Sequence, residues 1–121
     1  MQKNPAFLGF RNPEGCGTGG YGERDDYSNR FWAAAEMYAT TGESDYLKDV
    51  NILLEQHDIF LTALGWGEVG GMGSMALLTS HFPIDENLKE RIKKAVLNRA
   101  ADLKAIADNN GYFCAMTERE Y

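Results

Sequence analysis

Five oxygen-bearing side chains, Glu23, Asp25, Asp26, Ser28 and Asn29, fall within seven residues. Hard cations such as calcium are held by oxygens at this density, and two carboxylates at a suitable separation can do general acid–base work. The stretch lacks the twelve-residue loop of an EF-hand, and nothing in it fixes a distance between carboxylates. Acids also gather ahead of helices because the first turn of N–H groups carries partial positive charge. The cluster therefore reads as a cation cradle or as the start of a helix. Trp66 is a second candidate. Flanked by Gly65 and Gly67, it keeps a ring face open to a flat partner such as a sugar ring, unless it packs into a core as tryptophans commonly do.

Other chemical signals are weaker. Gly15, Gly17 and Gly20, and again Gly65, Gly67 and Gly70, match the letters of a dinucleotide fingerprint. That site needs a strand before the glycines, a helix after them and a parallel strand beyond. The first match follows Asn12, Pro13 and Glu14 without a strand, and no second strand follows the other, so sharp turns or close chain approach explain both. His57 and His81 stand near helix ends without paired ligands, which argues against zinc. Cys16 and Cys114 have no metal spacing and no sequence-local activating partner, and they suit either redox compartment.

The elements that must position these residues are helical. Residues 28–41 place Phe31, Trp32, Ala33, Ala34, Ala35, Met37, Tyr38 and Ala39 in three turns, with Arg30 and Glu36 as the charges. Apolar residues run almost all the way round, which predicts a helix buried on most sides, capped by Ser28 and stopped by Gly42. A second helix over 44–57 carries Leu47, Val50, Leu53 and Leu54 on one face. Its two-residue link, Gly42 and Glu43, predicts an antiparallel pair. Residues 59–67 form a short strand or an extended entry. A glycine-rich third helix starts near Glu68, carries Met72, Met75, Leu77 and Leu78, and stops around 81–83. The fourth starts at the cap Asp85, repeats apolar residues at Leu88, Ile92, Val96, Leu103 and Ile106, and ends at Asn109, Asn110 and Gly111. Residues 1–27, broken by Pro5, Pro13 and several glycines, are irregular; helical hairpins occupy 28–110.

Bulk composition narrows the classes. At 121 residues the chain is a single all-α domain at most. A net charge of −6 argues against nucleic acid, which needs clustered Lys and Arg. No run approaches the roughly 18 apolar residues of a membrane span. The first ten residues lack a signal-peptide layout, so the chain as written is not expected to be exported.

Two segments, TGGYGERDDYSNRFWAAAEMYATTGESDYL and GWGEVGGMGSMALL, resemble family-nine glycoside hydrolases, the cellulases, whose pattern reads TGxYGDxxxxDExxWAAAELYxxTGxxxYL and then WGDVxxxGxxxL. The tail NNGYFCAMTEREY is similar to a further stretch of that family. The resemblance covers most of the chain and implies part of an (α/α)6 barrel of six helical hairpins. It also implies hydrolysis of β-1,4-glucan with inversion, using a base and an acid about 6.5–9.5 Å apart. No segment like the family's DAGD base motif occurs here, and no acid-bearing C-terminal segment. The expectation is thus an interior piece that contributes scaffold and cleft wall, with no catalytic residue of its own and inactive alone.

By position, Trp66 and Tyr21 match cleft residues and become the expected β-glucan contacts. Asp25 and Glu68 match ligands of a structural calcium in some members, and Ser28 and Asn29 stand where the family has Asp and Glu. Loss of those two carboxylates lowers the charge available to a divalent ion. Export of the parent follows by resemblance, since cellulose lies outside cells. Barrel faces left open in a piece predict self-association. The alternatives are a helical protein-interaction module without sugar chemistry, or a relative that binds glucan without cutting it.

Overall fold

The computed structural model describes residues 12–17 and 25–116. Four helices occur among the described residues: α1 (Tyr27–Thr41), α2 (Ser44–Gln56), α3 (Gly70–Thr79) and α4 (Glu86–Asp108). No strand appears among the described residues, so 59–67 is an irregular entry to α3. Two compact units result, Met1–Phe82 and Pro83–Tyr121.

In the first unit α1 packs against both α2 and α3. It ends where expected. Gly42 adopts the left-handed conformation at φ +72, and its N–H donates to the Tyr38 carbonyl at 2.8 Å. A side chain there would be strained by φ and would also strike the Phe82 ring. The chain then turns into α2 at once. Tyr27 at the start of α1 stacks on His57 just past the end of α2, with ring centroids 3.4 Å apart and planes 11° apart. That contact requires the two helices to run antiparallel. Val50 and Leu54 supply the buried face of α2, with Leu47 and Leu53 half-buried.

The start of α1 differs from the expectation. Asp26 is the residue before the helix, without a side-chain capping bond, and Ser28 lies inside the first turn. The Asp26 carboxylate instead pairs with Arg30 at 2.7 Å, one turn on. Nor is α1 buried on most sides. Phe31, Ala34, Ala35 and Tyr38 are buried, whereas Glu36 is exposed and Met37 is 41% exposed. Periodicity identifies apolar residues but not how many neighbours arrive to cover them.

Close approach of α3 depends on its glycines. A methyl group at Gly73 would lie 2.6 Å from Phe31 Cε1 and 3.1 Å from the Trp32 backbone. One at Gly71 would lie 2.7 Å from the Ala63 carbonyl oxygen. Space for a side chain is missing at both positions, so the helix settles directly onto α1 and onto the 59–64 loop. Ala76 and Leu77 complete its buried side.

The second unit is α4 and the turn after it. Asp85 caps the helix as its sequence predicts: Oδ1 accepts from the Asn87 amide at 2.9 Å and from Leu88 at 3.2 Å. Leu88 and Ile92 are buried, Leu103 and Ile106 half-buried, and Val96 exposed. Asn110 ties off the far end. Its Nδ2 donates to the Ile106 carbonyl, and its Oδ1 accepts from the amides of Tyr112 and Cys114.

Candidate functional site: the Trp66 turn and the start of helix 1

Trp66 projects from a tight turn ahead of α3. The Gly65 amide donates to the Glu68 carbonyl at 3.0 Å, closing four residues into a loop. Downstream, the Gly71 amide reaches the Ala63 carbonyl at 2.8 Å and pins the loop to the first turn of α3. Atoms added at Gly65 or Gly67 would meet nothing within 4 Å. Trp66 is accordingly 83% exposed, and Leu64 and Phe60 are exposed beside it in sequence. An indole held on a braced turn can offer its face to a flat partner, as sugar rings present C–H faces to a π-system.

Two residues on, Glu68 meets the start of α1. Burial pushes its carboxyl above the ordinary carboxylate range, and the charges of Asp25 and Asp58 push the same way. A hydrogen bond with Ser28 pulls in the opposite direction. Oε2 of Glu68 is buried without a hydrogen-bond partner. The Ser28 hydroxyl also accepts from the Val69 amide at 3.4 Å. Asp25 uses its Oδ1 to accept from the Tyr27 amide at 3.2 Å.

Of the four residues assigned to calcium by resemblance, the fold bonds Ser28 to Glu68 within reach of the charge of Asp25, with Asn29 half-buried next in the helix. The charge of Asp58 reaches Glu68 as well. Asp58 sits in the irregular segment after α2, 30 residues beyond Ser28 and 29 beyond Asn29, and no local pattern marks it. Calcium takes six to eight oxygens at about 2.3–2.6 Å. Among the described residues no three acidic, histidine or cysteine side chains converge to hold a metal ion. One oxygen of Asp25 and the Ser28 hydroxyl are already engaged within the protein. With Ser28 and Asn29 in the set, only Asp25 and Glu68 bring carboxylate charge to it.

Tyr21, Glu23 and Gly20 lie outside the described residues. The glycine triplet Gly65, Gly67 and Gly70 has no preceding strand, and Gly70 opens α3, so the dinucleotide reading fails on geometry. His57 is engaged in the stack with Tyr27. Cys16 and Cys114 are exposed and form no disulfide among the described residues. A groove of about 400 Å³ that sequence reasoning missed runs between α1 and α3, lined by Glu36, Met72, Met75, Ala76 and His81 among others. Glu36 accepts from Trp32 Nε1 at 3.0 Å, which holds that indole along α1.

Comparison with known proteins adds a consistent set of relatives. The family model described as Glycosyl hydrolase family 9 matches residues 4–121. A cellodextrinase from Butyrivibrio fibrisolvens is 36% identical over 98% of this chain and 24% of its own length. Endoglucanase D from Acetivibrio thermocellus is 33% identical over 93% of this chain and 18% of its own. Among solved structures, a single mutant of a thermostable endoglucanase from Alicyclobacillus acidocaldarius superposes with a TM-score of 0.77 at 27% identity. The match covers 90% of this chain and 20% of that one. AaCel9A in complex with a cellobiose-like isofagomine gives the same TM-score at 26% identity, over 91% of this chain and 21% of that one. The chain spans about a quarter or less of the length of the relatives it matches.

Proposed function

The chain belongs to glycosyl hydrolase family 9, and on that premise we propose that it is part of a β-1,4-glucan hydrolase acting with inversion. In this reading it supplies all-α scaffold from an (α/α)6 barrel and one wall of the substrate cleft. The acid and base come from outside these 121 residues, and the chain alone is inactive. Trp66 stacks on a sugar ring, and Tyr21 is the second contact. The observation that carries the reading is the exposure of Trp66 on a turn braced at both ends. Support comes also from the relatives, described as a cellodextrinase and an endoglucanase, and from AaCel9A, solved with a cellobiose-like ligand.

A polymeric substrate places the working protein outside the cell. Within the first unit, Met37, Met72 and Met75 leave apolar surface open, and this surface drives association of the chain when it stands alone. Sedimentation at rising concentration tests that, and a monomer throughout would count against it. For the sugar reading, cello-oligosaccharides titrated against tryptophan fluorescence should give a saturable response that Trp66→Ala removes. A response that survives the substitution, or none from folded protein, would favour an interaction module.

A further inference from the structure

Ser28 is only 6% exposed, and it stands on a helix whose other fully covered residues are Phe31, Ala34, Ala35 and Tyr38. A buried hydroxyl needs partners, and it finds them 40 and 41 residues away in the sequence: the Glu68 carboxylate and the Val69 amide. Val69 is the N-cap residue of α3. Glu68 closes the Trp66 turn through its own carbonyl. One hydroxyl thus ties the first turn of α1 to the last residue of the turn and to the N-cap of the next helix. A serine O–H donates once and accepts through two lone pairs, so both contacts are available to it together. The alternative fastening, a divalent ion at this spot, would have to be held with neutral Ser28 and Asn29 in place of two carboxylates.

We infer that Ser28 is the positioning residue of the Trp66 turn, fastening it to α1 by direct hydroxyl contacts in place of a bound divalent cation. The inference rests on the reading of Trp66 as a sugar platform only for its effect on binding. Its effect on the turn itself stands independently.

The test uses the full chain. Ser28→Ala is expected to speed amide hydrogen exchange at Gly65 and Val69 while leaving Gly42 and the α1–α2 hairpin unchanged. It should weaken the cello-oligosaccharide response about five- to tenfold, the equivalent of one hydrogen bond. Glu68→Ala should loosen the same amides, and Glu68→Gln, whose amide oxygen still accepts from Ser28, should restore them. Millimolar calcium or EDTA should leave exchange in the unsubstituted protein as it was. Exchange at Val69 unaltered in Ser28→Ala, or raised equally in every helix, would overturn the proposal. So would EDTA loosening the unsubstituted turn. Absence of any sugar response in the unsubstituted protein would reject the platform, while the exchange pattern would still judge Ser28.

Discussion

Helices α3 and α4 reach the same backbone conformation by opposite routes. The ten residues of α3 include three glycines, carry no charge, lack a capping side chain, and bury Gly70, Gly71, Gly73, Ser74, Ala76 and Leu77. Each glycine disfavours a helix by about 0.8–1.0 kcal/mol relative to alanine, so α3 is a poor helix on its own terms. Its stability comes from contact with α1 at distances that any side chain would forbid. The 23 residues of α4 bury only Leu88 and Ile92. They rely on the Asp85 cap and on pairs one turn apart: Lys89 with Glu86, Lys93 with Glu90, and Lys104 with Asp108. Tertiary approach makes one helix, and local signals make the other.

That contrast can be broken by substitution. The largest effect is expected from Phe31→Ala, which empties a fully buried site against Gly73. It should cost about 3–5 kcal/mol of the first unit's stability in denaturant melts and leave the helical signal of α4 in place. Loss of α4 in the same transition would show that the helices are not independently determined. Gly73→Ala comes next. Its propensity gain of about 1 kcal/mol meets overpacking worth roughly 1–3 kcal/mol, because the added methyl faces Phe31 and the Trp32 backbone. A net rise in melting temperature would mean that α3 is governed by propensity after all. Asp85→Ala should remove about 1 kcal/mol, read as fraying of the first turn of α4, with exchange in α3 unchanged.

A smaller effect sharpens the picture at the Trp66 turn. The folded state raises the Glu68 carboxyl above its ordinary value, so folded protein holds the proton more tightly than unfolded protein does. The associated stability is present in full below the ordinary carboxylate range and is lost as pH rises through the raised value. Glu68→Gln should flatten that part of the stability–pH profile and stabilise the protein at neutral pH. An unchanged profile would remove Glu68 as its source.

What could be read from residues alone follows the same division. The cap Asp85, the stop at Gly42, the antiparallel pair joined by Gly42 and Glu43, and the Asn109–Gly111 ending are all local, and all appear where expected. The two glycines beside Trp66 likewise leave it exposed. Errors arose where distant chain decides the outcome. Ser28 has the chemistry of an N-cap, but Glu68 and Val69 claim its hydroxyl. The apolar belt of α1 suggested cover on most sides, whereas Met37 stands open. Asp58 joins the charged cluster only because the chain returns there after α2.

The early stop at Gly42 also sets an order of assembly. Contacts between α1 and α2 close within one short stretch of chain, and local closure is fast. During synthesis at about 5–20 residues per second, Gly73, which packs on Phe31, emerges roughly two to six seconds after Gly42. Through that interval the Phe31 face that Gly73 later meets stays open to other chains. Slowing translation between the second and third helices should therefore raise aggregation more than slowing it anywhere later.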